Sequence, residues 1–169
     1  MTDPNTLAEL WDAHADRLLL IARSIGGPAE DAVQEAFVAL ATQHALPRDP
    51  MGWLVRVTRN RLLQWQRTNR RRRNREAAVS DLPWFDCNVL SVDQELDARE
   101  VTAALLSLAS PEREVIVMHL WGEMSFESIA EVLGGSRASA HRSFRRGLAT
   151  LKTRFNRESE NDSMRVCNE

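Results

Sequence analysis

An all-α fold, two small helical domains joined by a linker, is predicted by three features of this sequence. Apolar residues recur at helical spacing along most of the chain. One stretch, Ser125 to Lys152, reads as a capped helix, a glycine turn and a donor-rich second helix. The charge is sorted into blocks: acidic, basic, acidic, then basic again, so the formal net charge of -2 conceals two separate anion-binding surfaces.

The first helix is expected over residues 6 to 25, with Leu7, Leu10, Trp11, Leu18, Ala22 and Ile25 on one face. Gly26-Gly27 ends it, and Pro28 suits the first turn of the next helix. That helix, residues 28 to 43, carries the stripe Ala29, Ala32, Val33, Ala36, Phe37 and Leu40 opposite a polar face of Glu30, Asp31, Gln34 and Glu35. From periodicity alone, simple solvation is the plainer reading of those acids. Two prolines force a loop over His44 to Met51. A third helix follows over about 52 to 75, with Leu54, Val57, Leu62 and Trp65 as a rough inner stripe.

Between Arg56 and Arg75 stand nine arginines and no acid. Trp53, Arg56, Arg59, Asn60 and Arg67 fall off the inner stripe. Rings and guanidinium planes stack on unpaired bases and an amide pairs with a base edge, so these residue types suit single-stranded nucleic acid. Burial in the core is the competing reading for both Trp53 and Trp65. The run Arg70, Arg71, Arg72 and Arg73 suits phosphate contact without sequence readout.

Residues 77 to 95 lose periodicity, contain Pro83 and turn acidic; they read as the linker between a first domain at 1–76 and a second at 96–157. A helix resumes near Asp93, and Ser110-Pro111-Glu112 supplies a cap, a first-turn proline and a first-turn acid for the next. That helix, rich in Val115, Ile116, Val117 and Met118, ends by Gly122.

Ser125 then caps a helix with Phe126, Ile129, Ala130 and Leu133 on one face, and Gly134-Gly135 stops it. Ser136 caps the last helix, whose apolar positions are Ala140, Phe144, Leu148, Leu151 and Phe155. Its early turns bear Arg137, Ser139, His141, Arg142, Arg145 and Arg146, and from Arg137 to Arg157 there are seven bases and no acid. This is the layout of a helix-turn-helix in a winged-helix-like, tetrahelical domain, with a solvated helical hairpin as the alternative. The polar tail, 158–169, is expected to be disordered.

No Walker-type phosphate loop, HExxH, GxSxG or CxxC occurs, and the four histidines lack metal-ligand spacing, so the reading contains no enzyme, cofactor or metal site. Cys87 and Cys167 match no redox spacing and are expected to be reduced thiols. The acidic amino terminus lacks the pattern of a signal peptide, and no apolar run reaches membrane-spanning length; a cytoplasmic protein without membrane insertion is expected.

Several of these residues form ordered motifs: Asp31-Ala-Val-Gln-Glu-Ala-Phe37, Trp53-Leu54 with Asn60 beyond it, the arginine-rich end, Pro111-Glu-Arg-Glu-Val115, and Ser128-Ile-Ala-Glu-Val-Leu133 before the last helix. In that order they resemble the bacterial sigma factors of extracytoplasmic-function type, over residues 5 to 156. The resemblance implies a non-catalytic subunit that brings core RNA polymerase to promoters. It assigns Asp31, Gln34, Glu35 and Phe37 to the polymerase clamp helices, and the second domain also to the flap. His44, Arg48, Trp53, Arg56, Arg59 and Asn60 would melt and read the -10 element, with Arg70 to Arg73 on phosphates. Arg137, Ser139, His141, Arg142, Arg145 and Arg146 would read the -35 duplex. An anti-sigma factor is a common further partner in that family.

The sequence departs from the family at three places, one of them the linker segment Pro83 to Leu90, which is no general family feature. Gln64 stands where many members carry Asp, and Ala138-Ser-Ala-His-Arg-Ser143 replaces a pattern close to Gly-Thr-Val-Lys-Ser-Arg, so a typical -35 preference does not transfer. The alternatives to the sigma reading are a stand-alone helix-turn-helix regulator, which would need an apolar dimer seam, and a protein-binding helical adaptor.

Overall fold

Seven α-helices form the regular structure in a computed structural model of the protein, which describes residues 2–73 and 92–166, with side-chain surroundings for 2–69 and 98–157. They are α1 (Pro4–Ile25), α2 (Ala29–Ala41), α3 (Pro50–Arg73), α4 (Val92–Leu106), α5 (Ser110–Leu120), α6 (Phe126–Leu133) and α7 (Arg137–Val166). Most of the expected linker, and with it Cys87, lies outside the described residues, as does Cys167.

Helices α1, α2 and α3 pack on one another. Asp3 starts α1, its carboxylate accepting from the Thr6 backbone N–H at 3.2 Å. All six residues of the predicted α2 stripe are buried. Helix α3 buries Leu54 and Leu62 as expected, but also Val55 and Thr58, while Val57, Trp53 and Trp65 are only half-buried. The reason is that α3 is covered from two sides, by α1 and α2 and by α6, so a single stripe cannot describe it. The carbonyls left open at the end of α1 are capped from α3: Gln66 Nε2 donates to Ile25 O at 2.9 Å and Gly26 O at 2.8 Å.

The remaining helices are built around α5, whose run Val115–Met118 is wholly buried because α1, α6 and α7 all pack on it. Ser110 does not cap α5 as its sequence position suggests. Ala109 is the cap residue, Ser110 opens the helix, and its hydroxyl donates instead to Glu114 Oε1 at 2.7 Å. The polar stretch expected to be a disordered tail continues α7 as helix to Val166. Neither Gly nor Pro follows Gly147, so nothing in the sequence breaks the helix there.

The buried residues of both groups of helices form one continuous apolar cluster, from Leu18 and Leu40 through Leu62 to Ile116 and Ile129. Among the described residues no helix is long and apolar enough to cross a membrane.

Candidate nucleic-acid and polymerase interfaces

The turn between α6 and α7 is set by its caps. Ser125 Oγ accepts from the Ser128 N–H at 3.1 Å to start α6. Gly134 ends it with a left-handed φ of 71°, a conformation that costs other residues steric strain. Ser136 and Ser139 then bond reciprocally: each side-chain oxygen accepts from the other residue's backbone N–H, at 3.1 and 3.2 Å. The Ser139 hydroxyl also donates to the Ser136 carbonyl at 2.7 Å. Ser139, expected among the base readers, thus spends its donor on holding the helix start.

The cations of α7 fall into two sets. Arg137 pairs with Glu127 at 3.2 Å on the open surface, and Arg146 Nε donates to Glu112 of α5. Arg142 and Arg145 are exposed and form no ion pair among the described residues. His141 is exposed but seated: its ring meets the edge of Phe126 at 5.2 Å. Phe126 in turn stacks on His119 at 4.3 Å, and Phe144 closes the cluster at 5.4 Å from Phe126. His119 is fixed by the 2.9 Å contact of Nδ1 with the Met124 carbonyl. An aromatic pillar therefore sets where His141 can point.

In the first group, Asp49 shapes the entry to α3, accepting from the Gly52 N–H at 2.9 Å. His44, Arg48, Arg56 and Asn60 are exposed and Trp53 is half-buried. Arg59 is only partly presented to solvent. Its Nε lies 2.7 Å from Glu114 Oε2 of α5, with side chains 20% and 3% exposed respectively. Gly52, Trp53 and Arg56 line a groove of about 200 Å³ with Pro47, Arg48 and Asp49, closed on the far side by Ser128, Glu131 and Val132 of α6. The helix backbone carries Arg70 to Arg73, whose side chains lie outside the described ones.

On α2, Asp31, Gln34 and Glu35 are exposed on one face, and the face continues to Val38, which is 66% exposed. Its i+7 spacing from Asp31 was the signal that could have found it. Glu35 pairs with Arg61 at 3.2 Å and Glu30 with Arg23 at 3.1 Å. A backbone hydrogen bond at the helix start, together with Arg23, holds the Glu30 carboxyl below its usual value. Phe37 corrects an expectation. It is 4% exposed and packs on Trp11 with ring centroids 4.7 Å apart, so it supports this face from beneath and does not belong to it.

Family models for sigma-70 region 2 and sigma-70 region 4 match residues 10–72 and 98–151. The chain is 33% identical over 162 residues to the probable extracytoplasmic-function RNA polymerase sigma factor SigI of Mycobacterium tuberculosis, covering 86% of this chain and 56% of that protein. It is 32% identical over 154 residues to the extracytoplasmic-function sigma factor SigE of Mycolicibacterium smegmatis, covering 85% and 59%. The chain thus spans somewhat over half the length of these curated relatives. CnrH, solved in complex with the cytosolic domain of CnrY, superposes with a TM-score of 0.64 at 25% identity, covering 91% of this chain and 90% of that one. The sigma factor RpoE of Bartonella quintana, solved with the anti-sigma factor NepR, shares the fold with a TM-score of 0.67 at 20% identity, covering 88% and 93%. Regions 2 and 4 are thus both matched, in that order, on one chain. The protein belongs to the sigma-70 family, as an extracytoplasmic-function sigma factor.

Proposed function

We propose that this chain is a non-catalytic specificity subunit that binds core RNA polymerase in the cytoplasm and directs initiation at its own set of promoters. The observation that carries the reading is the pairing of regions 2 and 4 on a chain whose α7 presents Arg142 and Arg145 exposed and without acidic partners. An arginine fork that keeps its donors free can make a bidentate contact to guanine in the major groove. Residues 96–157 read the -35 duplex through Arg142, Arg145 and His141, with Arg137 and Arg146 on phosphates once released from their acids, and also meet the flap.

Residues 1–76 hold the polymerase and the melted -10 element. Asp31, Gln34, Glu35 and Val38 form the face for the clamp helices, charged around one exposed aliphatic side chain. His44, Arg48, Trp53, Arg56, Arg59 and Asn60 form a stacking and pairing surface for unpaired bases, and Arg70 to Arg73 bind the backbone. The relative solved with the anti-sigma factor NepR supports an anti-sigma factor as a further partner of this chain.

The test is run-off transcription with purified chain and core polymerase on genomic fragments, with the 5′ ends sequenced. Discrete start sites that share two spaced elements are expected. Failure to bind core polymerase, or transcripts with random ends, would overturn the proposal.

A further inference from the structure

Ala138, His141, Arg142 and Arg145 fall at i, i+3, i+4 and i+7 of α7, one stripe, and all four are exposed. Arg142 and Arg145 are long, solvated cations that form no ion pair among the described residues. His141 is also open to solvent, yet its ring packs against Phe126 with centroids 5.2 Å apart and planes at 88°. We infer that Phe126 of α6 and His119 of α5 are positioning residues for base readout. They hold the His141 imidazole in one orientation, so that it discriminates at a single base pair. The inference rests on the proposed -35 role of α7 for its DNA half, and on ring geometry alone for the positioning.

The backbone of α7 is set first. Ala140, beside His141, is buried, and Gly147 lies so close to α5 that an added Cβ would stand 2.6 Å from Ile116 Cδ1. The helix therefore has little room to roll. His119 is set next. Its Nδ1 lies 2.9 Å from the Met124 carbonyl, which only accepts, so that nitrogen carries the proton and the ring plane is fixed. Phe126 stacks on this imidazole at 4.3 Å with planes 21° apart. Phe144 of α7 meets both rings, 4.9 Å from His119 and 5.4 Å from Phe126. Three rings from three helices thus form a base, and His141 is the fourth, at its open edge. Phe126 and His119 are only half-buried, so the stack runs at the surface and leads to His141.

Fixing the ring changes what it can recognise. A mobile exposed side chain loses freedom when it binds, and it can turn to whichever partner is nearer, a base or a phosphate. An imidazole packed on stacked rings has given up that freedom on folding. It also offers one bonding site on each of two ring nitrogens, in place of the five-donor fork of arginine. A small displacement of the ring therefore changes which base atom it reaches. Arg142 and Arg145 can follow a displaced base edge, and a held His141 cannot. Discrimination at its base pair then depends on two residues that lie outside the recognition helix.

Two measurements on the full chain test this. The first needs no DNA: nuclear Overhauser contacts between the His141 ring protons and the Phe126 ring, the His141 signals being identified by their loss in His141→Ala. Contacts are expected in the parent chain and in Phe126→Tyr, and their absence from the parent overturns the positioning. The second is selection, by the chain with core polymerase, from promoters randomised across the -35 region. His141→Ala should lower discrimination at one base pair roughly threefold or more and leave the neighbouring positions unchanged. Phe126→Leu, which keeps an apolar side chain but removes the ring, should lose discrimination at that same pair. It should add nothing further in the His141→Ala background, and Phe126→Tyr should retain the parent preference. A Phe126→Leu chain with the parent preference overturns the inference. So does an equal loss at every position that persists in the His141→Ala background, the mark of general damage to the domain. Should Phe126→Leu fail to fold, His119→Leu, which removes the stacking partner and the contact with Met124, is judged by the same readouts. Ring contacts without any enriched -35 motif overturn the promoter reading, and the readout role with it, while the packing stands. An enriched motif from a chain without ring contacts overturns the inference alone.

Discussion

Arg142 and Arg59 are both arginines on helices assigned to promoter DNA, yet their surroundings are opposite. Arg142 lies on the outside of α7 with no acid in reach among the described residues, so its charge is hydrated and available. Arg59 lies against α5, its charge neutralised by Glu114 across the two halves of the chain. The proposed -35 surface is thus displayed, while in the proposed -10 surface Arg59 alone is held by an acid, with His44, Arg48, Arg56 and Asn60 exposed. The difference teaches that, on the proposed assignment, Arg142 can meet DNA on encounter while Arg59 must first exchange Glu114 for a new partner.

The sharpest way to break this contrast is to loosen the helix that carries the covered face. Leu62 is fully buried where α3 meets the shared core, and Leu62→Ala should cost ~2–5 kcal/mol in chemical denaturation. Because the buried residues form one cluster, both halves should melt in a single transition; two separate midpoints would show that they do not support each other. Next in size, Arg142→Ala should weaken binding to the -35 duplex by ~1–3 kcal/mol and relax base preference at one position, measured by titration against single-base variants. Unchanged affinity and preference would remove Arg142 from the readout. Arg137→Ala should alter stability by no more than about 1 kcal/mol, since its pair with Glu127 is exposed on both sides.

The smallest effect expected is a pH dependence that comes from the covered half. Burial, followed by the charge of Arg17, lowers the His14 pKa below its ordinary 6.5, with Asp49 opposing. Its Nδ1 is buried without a hydrogen-bond partner. The folded chain therefore takes up this proton less readily than the unfolded chain. Stability is full above the unfolded pKa and declines as pH falls through it towards the lower folded value. Denaturation midpoints at about pH 7.5 and about pH 5.5 should differ less in His14→Gln than in the parent chain. An equal difference in the two would exclude His14 as the source.

What the sequence made legible followed the strength of local signals. The α2 stripe and the Ser125, Gly134 and Ser136 stops were readable because a single covered face and local caps leave a clean pattern. Helix α3 was only half readable: covered on two sides, it buries Val55 and Thr58 outside the predicted stripe. Phe37 shows why a motif is not a surface, since it lies among exposed residues in sequence but points inward onto Trp11. The contacts between halves had no local signal at all. Arg59 and Glu114 are 55 positions apart, and Ser24 and Arg113 are 89 apart, so only the folded chain brings them together.

The central claim is that Arg142 is unpaired among the described residues and Arg59 is engaged by Glu114 in the same chain. Once 5′-end mapping has supplied the promoter, the most direct measurement is the affinity of the free chain for its -35 duplex and for its single-stranded -10 element, with and without Glu114→Gln. The account predicts that Glu114→Gln strengthens single-strand binding several-fold, because it releases the Arg59 guanidinium, and leaves duplex binding unchanged. Single-strand binding that is already as strong in the parent chain, and insensitive to Glu114→Gln, would contradict it.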